Sequence, residues 1–336
     1  MNQPVTHGVK MPVTAARADN VVFEDQHPAT GDSRAELLAG LQQQQKMVNP
    51  KYFYNARGSD LFEQITRLEE YYPTRTEKKI LTQHAAEISQ LCGPDCVLIE
   101  PGSGNSEKVR LLLDSLRPAA YVPVDISAEF LYESALKLGQ EFPWLAVHAL
   151  CADFAQQWYS RTTLPAGRRV IFYPGSTIGN MDPAAANAFL ADLRQWIGPD
   201  GGVLIGVDLH KAELLLHAAY NDSRGVTAQF NLNILNAVND VIEADFDSTR
   251  FDHRAAYNQD QRRIEMHLVS RQAQTVNTAR GQIVFAEGET LHTENSYKYT
   301  LASFAQLAQS AGFNLQRSWL DEDKLFSVHF LSVAAG

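Results

Sequence analysis

The segment from Val97 to Lys108 reads VLIEPGSGNSEK: an apolar run, an acidic residue, then Gly102-Ser103-Gly104. No other stretch narrows the fold as much. An apolar run of this kind is a buried parallel strand, and a Gly-x-Gly turn lets the backbone approach a ligand that any Cβ would block. Ser106 is a candidate N-cap for a helix continuing through Val109 and Leu113. A second apolar segment, Tyr121 to Val124, ends at Asp125. That is about 20 residues past the glycines, where a carboxylate can accept hydrogen bonds from both hydroxyls of a ribose. Asp125 can equally cap the helix starting near Ala128, and the two roles can coexist. Ala152-Asp153-Phe154 follows a further apolar stretch and offers a carboxylate and an aromatic ring to an adenine.

The dinucleotide fingerprint calls for a third glycine at position 107, where this chain has Glu107. NAD is therefore disfavoured, and S-adenosylmethionine, which has no pyrophosphate to cradle, fits the loop better. Apolar runs at 96–100, 121–125, 146–151, 170–174 and 203–208 alternate with helical stretches or connections. This alternation predicts a parallel doubly wound sheet with ligands at the carboxyl ends of its strands. Asp182-Pro183 supplies an N-cap and an N1 proline for a helix through Trp196 that Gly198 closes. Upstream, helices are expected over Ser33–Gln44, around Leu61, Phe62, Ile65 and Leu68, and after a capping box at Thr74-Arg75-Thr76-Glu77.

The rhythm changes at residue 209. A helical stretch and a polar, hairpin-like region from Phe251 to Thr300 read as a second α/β unit, 209–299, inserted before the sheet finishes. Ser303 is the candidate cap of a last helix stopped by Gly312, and two strands, 315–320 and 326–333, end the chain. A terminal helix and antiparallel hairpin are finishing elements of class I methyltransferases rather than of dehydrogenases. The expected fold is thus α/β: a class I Rossmann-like methyltransferase sheet with a C-terminal antiparallel hairpin, from 31–208 and 300–336. The insert at 209–299 would bind substrate, and the polar residues 1–30 read as a mobile tail.

With 29 basic and 39 acidic residues the net charge is −10, which argues against nucleic acid or an anionic membrane as partner. No apolar run approaches the length of a membrane span. The three cysteines and ten histidines show no ligand spacing, so no metal is expected, and Cys92, Cys96 and Cys151 read as buried free thiols of a cytoplasmic protein. A monomer acting on a small molecule is the expectation.

Several segments together resemble one family, the histidine-specific Nα-methyltransferases of ergothioneine biosynthesis. They are Tyr52 to Phe62, Ile65 to Leu68, Tyr71-Tyr72-Pro73-Thr74-Arg75-Thr76-Glu77, Gly102 to Lys108, Gly175-Ser176-Thr177-Ile178-Gly179-Asn180, Gly225 to Asn231, Arg263 to Met266 and Thr293 to Lys298. The resemblance covers roughly residues 45 to 335. It implies that Gly102, Ser103, Gly104, Lys108, Asp125, Asp153 and Phe154 hold S-adenosylmethionine, with Tyr54 at the methyl-transfer point. It further implies that Asn180 and Tyr220 grip the carboxylate of L-histidine. Glu294 and Ser296 would read the imidazole, with Tyr71 and Met266 lining its pocket. The product implied is the trimethylated betaine hercynine, and relatives acting on other amines, such as ergot-type indoles, form the alternative.

The residue types suit those tasks. Asn180 follows a strand and Gly179, so its amide can donate to a carboxylate; a turn or capping Asn is the bland alternative. Glu294 and Ser296 are two apart, so on a strand both face one side, as they also would on a merely solvated face. Tyr220 and Met266 are equally readable as core residues, and Lys108 as a surface helix lysine.

Overall fold

Strands and helices alternate as the apolar runs dictate. The computed structural model describes residues 19–26, 30–153 and 164–334. The chain enters with β1 (Val21–Asp25), α1 (Thr30–Leu41), the short β2 (Lys46–Met47), α2 (Ala56–Ile65), α3 (Tyr72–Gln83) and α4 (Ala85–Cys92). It continues through β3 (Val97–Pro101), α5 (Glu107–Leu116), β4 (Ala120–Asp125), α6 (Ala128–Glu141), β5 (Ala146–Cys151), β6 (Arg169–Tyr173), α7 (Pro183–Ile197) and β7 (Gly202–Asp208). Next come α8 (Glu213–Tyr220), α9 (Val226–Ile242), β8 (Phe251–Asn258), β9 (Arg263–Ser270), β10 (Gln274–Thr278), β11 (Gly281–Phe285) and β12 (Thr290–Tyr297). The chain finishes with α10 (Leu301–Ser310), β13 (Phe313–Leu320) and β14 (Phe326–Val333).

The main sheet has the order β1-β5-β4-β3-β6-β7-β14-β13. Its first six strands are parallel and the last two antiparallel. β3 and β7 are buried along their whole length, as expected for strands covered on both faces. One apolar layer joins this sheet to α7 and α10, the other to α3, α4, α5 and α6. This is a methyltransferase-type α/β fold, and strand order reverses beside β3, so the carboxyl ends of β3, β4 and β6 frame a crevice.

A second, four-stranded sheet, β2-β12-β9-β8, packs against α9. Its core also takes in Leu37 and Leu41 of α1, Leu61 and Ile65 of α2, and Phe53 and Tyr72. The helices before residue 83 were grouped by sequence with the main sheet. Instead α1 and α2 bury their apolar faces against the second sheet's helix α9. An isolated bridge between Leu209 and Tyr299 ties the two sheets together.

Three local expectations differ. Residues 21–25, read as tail, form edge strand β1 parallel to β5, held by the Asn20 amide donating to the carbonyls of Gly139, Phe142 and Leu145. The helix expected to be capped at Thr74 begins at Tyr72 with Pro73 in its first turn, so Thr74 and Thr76 are buried inside it. The cap of α10 is Thr300, and Ser303 returns the bond as the third residue of a capping box. The Asp182 cap, Pro183 and the Gly198 stop of α7 stand as read.

Candidate active site

One cavity of about 950 Å³ opens between the main sheet's carboxyl edge and the second sheet. Of the residues singled out from sequence, it is lined by Tyr54, Tyr71, Gly102, Ser103, Gly104, Lys108, Asp125, Asp153, Asn180, Tyr220, Met266, Glu294 and Ser296. Phe154 lies outside the described residues.

The loop after β3 is built for close approach. Gly102 and Gly104 have φ of 69° and 52°, and the Gly102 and Ser103 amides donate to Val124 O. Asp125 accepts from the Gly104 amide at 2.9 Å and from the Ser127 amide at 3.0 Å, so it pins the loop and starts the next helix at once. Burial pushes its carboxyl up despite those bonds. Ser103 Oγ is buried with no hydrogen-bond partner among the described residues. Glycines of positive φ, a carboxylate at the strand tip and an orphaned hydroxyl together fit an adenosine-type cofactor carrying an amino-acid tail. Ser106 stands at the N-cap position but does not cap with its side chain; its hydroxyl lies 3.1 Å from that of Tyr121, whose one proton goes to the buried Glu100. Burial raises Glu100 to about 8.

Two lysines on the cofactor side are already paired. Lys108 Nζ lies 2.5 Å from Glu77 of α3, whose carboxylate also accepts the Gly175 amide at 2.9 Å. Gly206 makes room for it, since a Cβ there would sit 2.0 Å from Glu77 Oε1. Asp153 pairs with Lys51 at 3.2 Å, and Lys51 with Glu36 at 2.6 Å.

Asn180 ends a 3₁₀ turn, Thr177–Asn180, that follows β6. Gly179 lets this turn press on β12, because a Cβ would meet Tyr297 O at 2.9 Å. Tyr54 closes another 3₁₀ turn, Pro50–Phe53, with its ring 5.7 Å from Phe62 and 6.0 Å from Phe230. Tyr71 continues the aromatic wall, 6.3 Å from Phe62 and 6.5 Å from Tyr220. Burial pushes the Tyr54, Tyr71 and Tyr220 hydroxyls well above the usual phenol range, so all stay protonated.

β12 brings in the far end. A bulge between His292 and Glu294 resets its register against β9, setting Glu294 opposite Met266 and Ser296 opposite Ile264. Glu294 is raised to about 7 by burial, a shift that Lys298 partly offsets. Tyr220, expected against a carboxylate, donates its hydroxyl to Ser296 Oγ at 2.7 Å.

Residues not singled out from sequence complete the wall. Asp208, at the end of β7, accepts from Tyr72 at 2.8 and 2.9 Å, from Lys211 at 2.5 Å and from Lys298 at 2.8 Å. Burial alone would raise its carboxyl, but the two lysines outweigh burial and hold it below the usual range. Lys211 is lowered to about 8, chiefly by burial. Lys298 follows Ser296 by two and Glu294 by four, so the alternation that picked out that pair also reached the lysine. Asp208 carried no signal of spacing, and Glu77 stood out only as the last residue of a capping box.

Residues 33–333 match the family described as histidine-specific, S-adenosylmethionine-dependent methyltransferases. The histidine N-alpha-methyltransferase of Mycolicibacterium smegmatis is 43% identical over 86% of this chain and 93% of its own length. Its namesake from Mycobacterium tuberculosis is 41% identical over 90% of this chain and 94% of its own length. Among solved structures, a possible exported protein from Bordetella parapertussis aligns with a TM-score of 0.51 at 11% identity, over 92% of this chain and 98% of that one, a likeness of fold alone. The cavity lies wholly within the matched residues, and the chain belongs to the family of S-adenosylmethionine-dependent, histidine-specific methyltransferases.

Proposed function

We propose that this protein transfers methyl groups from S-adenosylmethionine to the α-nitrogen of L-histidine, ending at the trimethylated betaine hercynine in ergothioneine biosynthesis. Glu294 and Ser296 carry the reading: a carboxylate and a hydroxyl on one strand, in the cavity that also holds the Gly102–Gly104 loop. Together they satisfy both nitrogens of an imidazole, whereas an indole would leave one of them stranded, at about 1–3 kcal/mol for an unsatisfied buried group.

Asp125 would take the ribose hydroxyls, the amides of 102–104 and Ser103 the amino-acid tail, with Lys108 beside it, and Asp153 and Phe154 the adenine. Bound S-adenosylmethionine supplies a methyl group activated by its sulfonium. The chain's own contribution is positioning, on the order of 7 kcal/mol in good cases. Asn180 donates its amide to the substrate carboxylate, with the Tyr220 ring packed beside it. Met266 and Tyr71 flank the imidazole. Tyr54, neutral at working pH, accepts one N–H of the α-amine and so turns the nitrogen lone pair toward the methyl group. The wall beside that nitrogen is aromatic, Tyr54 packing on Phe62 and Phe62 on Tyr71. Both ligands are small and free, and the reading is a monomeric, cytoplasmic enzyme.

The test is incubation of purified protein with S-adenosylmethionine and each of the twenty amino acids plus histamine, read by mass spectrometry. Methylation of histidine with histamine inert supports both the imidazole pocket and the carboxylate grip. Histidine inert beside another methylated amino acid rejects the acceptor.

A further inference from the structure

Lys298 is a buried cation that the reading above does not use. Its side chain is 1% exposed, and its three donors are all committed: Asp208 Oδ2 at 2.8 Å, Ser296 Oγ at 2.7 Å and Tyr220 Oη at 3.3 Å. An ammonium can only donate. Ser296 Oγ therefore accepts from Lys298, and it accepts a second time from Tyr220 at 2.7 Å. Both of its lone pairs are filled, and the one bond left to Ser296 is donation of its own proton. Glu294, two residues earlier on the same wall, offers a carboxylate. The acceptor pocket is thus one donor beside one acceptor.

We propose that Lys298 is a specificity-determining positioning residue: anchored by Asp208, it forces the Ser296 hydroxyl to act as a donor, so that the pocket takes a neutral imidazole ring. The ring's N–H goes to Glu294 and its bare nitrogen receives the Ser296 proton. This rests on the histidine reading above. Charge points the same way. Asp208 is shared between Lys211 and Lys298, so it neutralises the ammonium beside Ser296 only in part. An imidazolium on Ser296 would sit one hydroxyl away from that ammonium, in a medium where like charges repel strongly.

The titratable and charged groups around Ser296 are Glu294 and Lys298 from the β12 segment, Tyr220 from α8, Asp208 and Lys211 at the end of β7, and Tyr71 and Tyr72 at the start of α3. His253 reaches the Tyr220 carbonyl from behind at 3.0 Å.

The experiment is calorimetric titration of the S-adenosylhomocysteine-loaded protein with L-histidine between pH 6 and 8.5. Each Kd is divided by that for β-(1,2,4-triazol-3-yl)alanine, whose ring stays neutral across the range and which shares the α-ammonium and carboxylate. Dividing removes the titration of the protein's own groups. The ratio is expected to be constant above about pH 7.5 and to rise toward acid as the free imidazole, with pKa about 6.5, takes up a proton. A ratio that instead grows about tenfold per pH unit above pH 7 means the ring binds as imidazolium, with the Tyr220 proton turned elsewhere and Ser296 accepting, and overturns the proposal. Lys298→Met supplies the second arm. Freed of the ammonium, Ser296 can accept, so the variant's ratio is expected to rise with pH above 7. A uniform weakening at every pH, with the wild-type profile kept, reduces Lys298 to a packing residue and also overturns the proposal. Failure of histidine to bind at any pH, with the cofactor product bound, instead rejects the histidine reading itself.

Discussion

Replacing Glu294 with Gln separates what this residue does for the ligand from what it does to the fold. Burial raises its carboxyl to about 7 from an ordinary 4.5. Between those values the folded state binds more protons than the unfolded one, so stability falls as pH rises through the window and levels off above about 7. The gap between 4.5 and about 7 corresponds to about 3 kcal/mol of destabilisation once the group is ionised. Gln has nearly the same shape and no charge. Glu294→Gln is therefore expected to match wild type at pH 5 and to be about 3 kcal/mol more stable at pH 8, a rise of about 5 °C in Tm for a chain of this size. Histidine should respond in the opposite sense. A charge-assisted hydrogen bond contributes about 1.5–3 kcal/mol, so at pH 8 KM is expected to rise about 10- to 150-fold. Scanning calorimetry of the ligand-free protein at the two pH values, with steady-state kinetics at pH 8, reads both effects. A variant no more stable than wild type at pH 8, or shifted equally at both pH values, refutes Glu294 as a carboxylate whose ionisation burial opposes. An unchanged KM removes it from the acceptor.

Other outcomes follow from the geometry. Asp125→Asn weakens two amide bonds within the loop along with any ribose contact, and calorimetry should show S-adenosylhomocysteine binding at least about tenfold weaker; unchanged affinity would reject the cofactor loop as read. Gly206→Ala drives a methyl group into Glu77, displacing a carboxylate from Lys108 and the Gly175 amide. Chemical unfolding should report a loss of about 3 kcal/mol or more, and a loss under about 1 kcal/mol would show that the carboxylate relocates freely. Lowering the pH from 8 to 6 protonates Glu294, so histidine binding is expected to weaken even where the ligand's ring is held neutral by the triazole substitution; a triazole Kd flat over that range contradicts ionised Glu294 as the acceptor of the ring N–H.

Where one segment carried its own physics, sequence was enough. Val97 to Gly104 and Tyr121 to Asp125 place the main sheet, its glycine turn and its carboxylate, because burial on both faces and positive φ leave local marks. Glu294 and Ser296 shared a wall because strand alternation survives the bulge just before them. Less legible were features decided by distant partners. Strand β1 exists because β5 offers an open edge and Asn20 three carbonyls, and neither is visible in a polar N-terminal stretch. Thr74 has capping spacing, yet Pro73 in the first turn moves the helix start to Tyr72. The Asp208–Lys211–Lys298 cluster joins residues up to 90 positions apart, and only the fold reveals that Ser296 has both lone pairs filled.

The central claim, that the α-nitrogen of histidine is the acceptor in this cavity, is tested most directly by locating the transferred methyl groups. Tandem mass spectrometry of histidine incubated with the protein and isotopically labelled S-adenosylmethionine should find three labelled methyls on the α-nitrogen and none on the ring. Label on an imidazole nitrogen would mean that the ring, not the amine, faces the cofactor, and would contradict the assignment of Glu294 and Ser296 to the imidazole.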